Sequence, residues 1–176
     1  MTNTLTPPVT FTDDTLLKAA GLADDAFLPV WTGPSGEQST GEAVARHLEA
    51  AVTLLRTNGW ARIYPQDQSG SHLPDNPSMT EREMLQALLA LIRDEIGSVP
   101  ELTLYSALRR IAESDQGDPD TAHIGGEVLN LVVRAHTGTD HARATSWSER
   151  LTRTHADITA LLTAGARFAR TYGPAA

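Results

Sequence analysis

Three side chains near the end of a helical pattern are of the types that bind metal ions. His136, Asp140 and His141 lie within six consecutive positions. Imidazole nitrogens and carboxylate oxygens bind zinc and iron, and His123 and His155 could complete the ligand set if the fold brings them near. The spacing is not that of the HExxH zinc motif. The preferred interpretation is that these are exposed loop residues, with His136 favoured by the negative end of a helix dipole.

Pairs of acidic residues could hold Mg²⁺, as they do in all-α nucleotide hydrolases. That chemistry requires carboxylates one helical turn apart that face inward from neighbouring helices, whereas these pairs stand at predicted helix starts or on polar faces. Helix capping and the helix dipole explain Asp13, Asp14, Glu81 and Glu83 without a function. The pairs are Asp13-Asp14, Asp24-Asp25, Glu81 with Glu83, and Asp94-Glu95, of which capping explains the last least well.

A basic stretch surrounds a tryptophan in the last third of the chain. Trp147 lies among Arg143, Arg150 and Arg153. These residues could bind an acidic partner or single-stranded nucleic acid, because bases stack on aromatic rings and phosphates pair with arginine. The preferred interpretation is that Trp147 is a buried plug at the end of a helical bundle, with its indole N–H bonded to a backbone carbonyl. Trp60 invites the same interpretation.

Motifs for covalent or cofactor chemistry are absent from the sequence. There is no cysteine, which excludes disulfides, thiolate metal sites and cysteine nucleophiles. There is no GxSxG elbow, no phosphate-binding loop and no dinucleotide fingerprint. We therefore predict no cofactor, name no catalytic residue and favour a noncatalytic role.

Charge and hydropathy narrow the classes of partner. The net charge is −8, with fourteen acidic against six basic residues in residues 1–101 and eight of each in residues 102–176. An acidic chain is poorly suited to nonspecific binding along DNA, because that affinity comes from cations that neutralise phosphates. The first residues lack a secretory pattern, and no apolar run approaches the roughly 20 residues that cross a bilayer. We expect a cytoplasmic protein without membrane contact.

Helical spacing of apolar residues dominates from Thr40 onward. Thr40 is the predicted N-cap of the first long helix, and Gly59 is its stop. Thr80 and Glu83 match a capping box for a second helix, whose broad apolar face predicts a position at the centre of a bundle. That face comprises Met84, Leu85, Leu88, Leu89, Leu91, Ile92 and Ile96.

Three further helices are predicted in the second half of the chain. In the middle one, the Gly125-Gly126 pair indicates a delayed start or a close helix crossing, because glycine is unfavourable in a helix interior. The predicted boundaries are Pro100 before a helix over Leu104–Ala112, Asp120 or Thr121 as the cap of the next helix, and Thr154 with Asp157 as the cap of the last, which stops at Gly173-Pro174.

The N-terminal forty residues are predicted to be irregular. Residues 1–12 contain Pro7-Pro8, which withholds two backbone donors, and should form an extended arm. Asp13 or Asp14 could cap a short helix that ends at Gly21.

The predicted fold class is all-α. We expect one domain, a bundle of about five main helices in residues 41–173, because caps and apolar stripes recur along that range. Residues 1–40 should form an irregular arm with one or two short extra helices.

Several short motifs resemble those of a family of small, uncharacterised all-helical proteins from actinobacteria and their phages. The resemblance covers about residues 42–170 and implies a helical fold and a source. It implies no activity and no catalytic residue, because the family has no assigned activity. Family members often carry a cysteine and glycine ahead of the Ala-Leu helix and Asn-Asp after the late tryptophan, where this chain has Leu102 to Ser106 and Ser148-Glu149. The shared motifs are Gly59-Trp60, Ala107 to Ala112, Trp147, and Arg153-Thr154 with Asp157-Ile158.

The leading functional prediction is a noncatalytic helical interaction or accessory protein with a protein partner. The first alternative is a metal-dependent or small-molecule enzyme whose pocket gathers His123, His136, His141 or Asp94-Glu95. The second alternative is nucleic-acid binding through residues 141–170. A homodimer through the face between Met84 and Ile96 is also open.

Overall fold

The fold is described by a computed structural model that covers residues 7–63, 80–86, 89, 101–115 and 117–175. It is an all-α bundle, as the sequence predicts. Within these ranges, β pairing is limited to two isolated bridges, Thr32 with Gln38 and Trp60 with Leu102. Residues 81–86 are helical. The other helices are α1 (Asp13–Asp24), α2 (Gly41–Asn58), α3 (Leu104–Ala112), α4 (Pro119–Thr137), α5 (Ala144–Ser148) and α6 (His155–Tyr172).

Side-chain caps set the helix starts that the sequence predicts. Thr40 Oγ1 accepts a hydrogen bond from Ala43 N at 3.1 Å and begins α2, which ends at Gly59 with a φ of +89°. At the start of α6, Thr154 N donates to Asp157 Oδ2 at 2.9 Å and Asp157 N donates to Thr154 Oγ1 at 3.3 Å. These bonds satisfy backbone donors that the first turn leaves without partners.

Two predicted boundaries are wrong. Helix α1 is capped by Thr12 and runs through Gly21 to Asp24, because Leu22 and Ala23 continue the apolar stripe that packs against the core. Helix α4 is capped by Asp118 and not by Asp120 or Thr121.

Asp118 is the cap of α4 because a proline follows it. Its carboxylate accepts hydrogen bonds from Thr121 N at 2.8 Å and Asp120 N at 3.2 Å. Pro119 occupies the first helical position, where its missing N–H costs nothing. The side chain of Asp120 is buried and accepts hydrogen bonds from the backbone and hydroxyl of Ser35.

Helices α2, α4 and α6 form the centre of the bundle. The most extensive helix contact is between α2 and α6, and α4 packs against both. Gly165 allows the close approach of α6, since a Cβ there would lie 2.6 Å from Leu129 Cδ2 and 3.0 Å from Leu48 Cδ1. The large side chains with under 2% exposure include Leu48, Leu55, Ile124, Val128, Leu129, Ile158, Leu161, Leu162 and Phe168.

The helical segment at 81–86 and Leu89 contradicts the prediction of a central helix. The capping box at Thr80 and Glu83 is present, with Thr80 N donating to Glu83 Oε2 at 2.8 Å. Met84, Leu85 and Leu89 are nevertheless exposed, because α2, α4 and α6 already fill the core. The remaining predicted face residues Leu88, Leu91, Ile92 and Ile96, and the pair Asp94-Glu95, lie outside the described residues.

The described part of the N-terminal arm, residues 7–12, lies against the bundle. Val9 N donates to Asp157 Oδ1 at 2.7 Å. Phe11 is buried, with its ring centroid 4.8 Å from that of His136 and 5.9 Å from that of Trp147. The arm therefore covers the start of α6 and the buried side chain of Trp147 in α5.

Candidate functional site

The tryptophan that the sequence singles out is buried. Trp147 is 1% exposed, with Phe11 on one side and the guanidinium carbon of Arg153 4.0 Å from its ring centroid. This agrees with a plug and leaves no ring face on which a base could stack. The predicted backbone partner of the indole N–H is wrong, since Nε1 has none among the described residues. We call Phe11, His136, Trp147 and Arg153 the Trp147 end.

The arginines of the basic stretch do not form one site. Arg153 lies on the Trp147 ring, and loss of hydration lowers the pKa of its guanidinium. Arg150 and Arg143 are exposed and make no ion pair within the described ranges. Arg150 follows α5, whereas Arg143 precedes it and faces a groove described below.

The arginines of α6 are used within the chain. Arg167 pairs with Asp13 of α1. Arg170 pairs with Glu42 at 2.8 Å and with Glu49 at 2.9 Å, both on α2, and lowers the pKa of both carboxyls. The positive charge that the sequence places between residues 141 and 170 is therefore largely neutralised on α6.

The predicted metal ligands are not brought together. No three His, Asp or Glu side chains in the described ranges form a group that could hold a metal ion. Asp140 and His141 are exposed in the loop after α4. His136 lies against Phe11, where loss of hydration and then the charge of Arg153 lower the pKa of its imidazole. A neighbouring guanidinium also disfavours a cation there.

A groove of about 430 Å³ opens between α3, α4 and the start of α5. Its floor is apolar and its edges carry polar and charged side chains, which is the usual composition of a ligand site. The floor includes Leu104, Leu108, Ala122, Leu129 and Ala144, and the edges are formed by Tyr105, Arg109, His123, Glu127, Asn130, Arg143 and Thr145. We call this cleft the α3–α4 groove.

Small residues on the facing helices leave the groove empty. Beyond its chain neighbours and the backbone of α4, no described atom lies within 4 Å of the position that a Cβ would take at Gly126. Ala112 and Ala122 contribute short side chains from α3 and α4. The neighbouring Gly125 instead faces the core, where its Cβ would be in ordinary contact with Leu48 at 3.4 Å. The glycine pair thus marks neither a delayed start of α4 nor, at Gly126, a close crossing.

Asn130 fixes one wall of the groove. Its Oδ1 accepts a hydrogen bond from Ala144 N at 2.8 Å and its Nδ2 donates to Glu127 Oε1 at 3.2 Å. The amide therefore joins α4 to the first turn of α5 and orients the carboxylate of Glu127. Arg143 precedes Ala144, so this bond also holds the backbone that carries its guanidinium at the edge of the groove.

The sequence interpretation missed most of the groove residues. Tyr105, Arg109, Glu127, Asn130 and Thr145 were not singled out, whereas Arg143 and His123 were named for other sites. Two signals are present in the sequence. One is Gly126 in the interior of a helix, and the other is the four-residue spacing along α3 of Leu104 with Leu108 and of Tyr105 with Arg109. Neither signal indicates a groove until the distance between α3 and α4 is known.

The described structure is that of a small helical bundle with a preformed groove and no metal-binding cluster within the described ranges. None of the described helices has both the length and the apolar character needed to cross a bilayer.

The chain belongs to DUF6197, a family of unknown function whose sequence profile matches residues 39–168. The predicted resemblance to an uncharacterised family without an assigned activity is thereby confirmed. The matched range contains α2 to α5, most of α6 and the whole α3–α4 groove, and it leaves α1 outside. No curated protein and no solved structure matches the chain.

Proposed function

We propose that this chain is a noncatalytic, cytoplasmic interaction protein that binds an acidic, amphipathic helix of a protein partner in the α3–α4 groove. The observation that carries the proposal is the groove itself: an apolar floor edged by Arg143, whose charge no described acid neutralises, in a chain with a net charge of −8.

The shape of the groove supports a helical occupant. Its volume of about 430 Å³ is within the range of roughly 300–1,000 Å³ found for small-molecule sites, so it can hold side chains of a larger partner but not a whole helix. It lies between two helices and is open on one side, so a longer segment could place one row of apolar side chains on the floor. An amphipathic helix docks in such grooves through residues three and four positions apart.

The charges at the edge support an acidic occupant. Arg143, His123 and Arg109 line the groove. Arg109 forms an ion pair with Glu113 at 3.3 Å. Glu127 is the acid that lines it. Complementary charge at the edge of an interface sets orientation and association rate more than affinity, so we assign the apolar floor the larger share of the affinity.

The two alternative functions have less support. Among the described residues, the side chain of His123 makes no hydrogen bond, and no described base stands beside a nucleophile in the groove. Nucleic-acid binding requires an accessible stacking ring and free cations, whereas Trp147 is buried and Arg167 and Arg170 are paired.

Filling the groove tests the proposal most directly. Gly126→Leu places a side chain in the groove at a position where no described atom beyond its chain neighbours and the backbone of α4 lies within 4 Å of the Cβ. Ala43→Leu introduces the same leucine side chain at an exposed position of α2 and is the control. With purified protein as bait in an extract of the source organism, we expect a partner that the native chain and Ala43→Leu retain and Gly126→Leu loses.

A charge reversal separates the groove from the basic stretch. Arg143→Glu should reduce capture of that partner, whereas Arg150→Glu, an exposed arginine after α5, should leave it unchanged. Equal capture by all four variants would show that the partner binds elsewhere. Salt-sensitive binding of a single-stranded oligonucleotide that Arg150→Glu abolishes would favour the nucleic-acid alternative.

A further inference from the structure

A second candidate surface lies around Phe27, in the turn that follows α1. It shares no lining residue with the α3–α4 groove. Phe27 is 99% exposed and the adjacent Leu28 is 71% exposed. Single exposed apolar residues are ordinary, but these two stand in succession beside a cavity of about 460 Å³ that Phe27 helps to line. Contiguous exposed apolar groups beside a cavity are typical of a contact surface.

Two further aromatic side chains line this cavity, and a buried ring packs against both. These side chains are Trp31 and Tyr172. The ring of the fully buried Phe168 stacks on Trp31 with 6.1 Å between centroids and 11° between planes, and contacts Tyr172 at 5.3 Å. Because these rings are fixed before a ligand arrives, binding loses little side-chain entropy.

The charge beside the cavity is negative. Asp24 and Asp25 are exposed at the C-terminal end of α1, and the last turn of that helix contains no basic residue. The helix dipole places partial negative charge at the same end, so acids there do not stabilise the helix. Neither carboxylate makes an ion pair with a described residue, and Asp24 lines the cavity. The surface therefore complements a cation.

We infer that this Phe27 surface binds a proline-rich segment of a partner protein that carries arginine beside its prolines. Proline rings pack against aromatic grooves, and an extended proline-rich chain loses little entropy on binding because it is already ordered. An arginine next to the prolines would pair with Asp24 or Asp25 and stack on an aromatic ring. This contact is independent of the groove and would give the chain a second protein partner.

A titration with a synthetic peptide tests the inference. A short peptide of Pro-Pro-Leu repeats ending in Arg-Arg is added to the isotopically labelled full chain, and the indole N–H signal of Trp31 is followed by NMR, assigned with Trp31→Phe. We expect a saturable shift of that signal with a dissociation constant at or below about 1 mM. Phe27→Ser should weaken binding by at least about fivefold, as expected for a central aromatic contact.

Two variants and two probes separate this inference from its alternatives. Asp24→Asn with Asp25→Asn should also weaken binding, whereas Leu151→Ser, at another leucine with 84% exposure, should not. The inference is overturned if the Trp31 signal does not move, if a peptide ending in Glu-Glu binds equally well, or if Phe27→Ser binds like the native chain. A dimer that Phe27→Ser dissociates in sedimentation would assign the surface to a second copy instead.

Discussion

Helices α4 and α5 contribute residues to both the Trp147 end and the α3–α4 groove. Helix α4 contributes His136 to the Trp147 end and Gly126 to the groove. Helix α5 contributes Trp147 to the Trp147 end and Thr145 to the groove, and Arg143, directly before α5, also lines the groove. At the Trp147 end the chain covers its own aromatic ring with Phe11 and Arg153. At the groove, no described segment covers the floor.

The contrast shows that residue type alone does not identify a binding site. The Trp147 end has the residues that commonly bind ligands, an aromatic ring and a cation, but they bind each other. The groove is defined by a missing side chain at Gly126 and by the spacing of two helices. A binding site therefore follows here from what the chain leaves uncovered.

The largest expected effect comes from removing the plug. Trp147→Ala deletes a side chain that is 1% exposed and should lower the free energy of unfolding by about 3–5 kcal/mol. Tyr105→Ala in the groove, where the side chain is 61% exposed, should cost less than about 1 kcal/mol. Urea denaturation measures both, and similar losses would mean that the two regions do not differ in packing as described.

The next effect concerns the hydrogen bond that joins the arm to the start of α6. Asp157→Ala leaves Val9 N and Thr154 N without their acceptor and should cost about 1–2 kcal/mol. Asp140→Ala, in the exposed loop after α4, is the control. Limited proteolysis should also cleave the arm faster in Asp157→Ala; unchanged cleavage would show that this bond does not hold the arm.

The carboxylate of Asp157 also predicts how the stability of the fold changes in acid. Burial raises the pKa of Asp157. Hydrogen bonds from Val9 and Thr154 and the charge of Arg153 together lower that pKa by more than burial raises it, so the folded-state pKa is below its ordinary value. The stabilisation is complete above the ordinary carboxyl pKa of about 3.8 and is lost as the pH falls through the folded-state pKa. The stability difference between native chain and Asp157→Ala should therefore shrink only in strong acid.

A buried histidine next to the groove predicts that the stability of the fold also depends on pH in a milder range. His47 of α2 is buried, and loss of hydration lowers the pKa of its imidazole more than the backbone of Leu108 and the charge of Asp118 raise it. The unfolded chain binds a proton near pH 6.5 while the folded chain does not, so stability declines as the pH falls from about 6.5 through the folded-state pKa.

Two histidine variants show which imidazole causes the decline in stability. His47→Gln should flatten the slope of the melting temperature against pH below about 6.5. His136, at the Trp147 end, also has a lowered pKa, so His136→Gln serves as the comparison and should remove only the contribution of His136 to the slope. If His47→Gln keeps the whole native slope, the groove side is not the source of the mild-acid sensitivity.

Local chemistry in the sequence predicted the helix starts well. Thr40, Thr80 and Thr154 cap their helices as predicted, because a cap depends on residues within three positions. Asp118 was missed since the proline that follows it outweighs the carboxylate of Asp120 as a start signal. Tertiary packing decided the rest: α1 passes through Gly21 because its stripe continues, and Met84 is exposed because other helices fill the core.

The groove could not be predicted because it depends on distances between helices. His123, Glu127 and Asn130 share one face of α4 by their spacing, which the sequence does show. Their position opposite Tyr105 of α3 and beside Arg143 depends on how α3 packs against α4. No local pattern reports that packing, so the candidate site came from the fold.

The last comparison is between two helical glycines, and the gain at Gly126 is the smallest of the changes in stability. Gly126→Ala should stabilise the chain by about 0.5–1 kcal/mol, because alanine loses less backbone entropy in a helix and no described atom beyond its chain neighbours and the backbone of α4 lies within 4 Å of its Cβ. Gly165→Ala should destabilise it by about 1–3 kcal/mol, since its Cβ would meet Leu129 Cδ2 at 2.6 Å inside the packed core. Thermal unfolding measures the two signs. A loss at Gly126 as well would mean that the groove is filled in solution by part of the chain itself, which would remove the uncovered floor on which the proposed function depends.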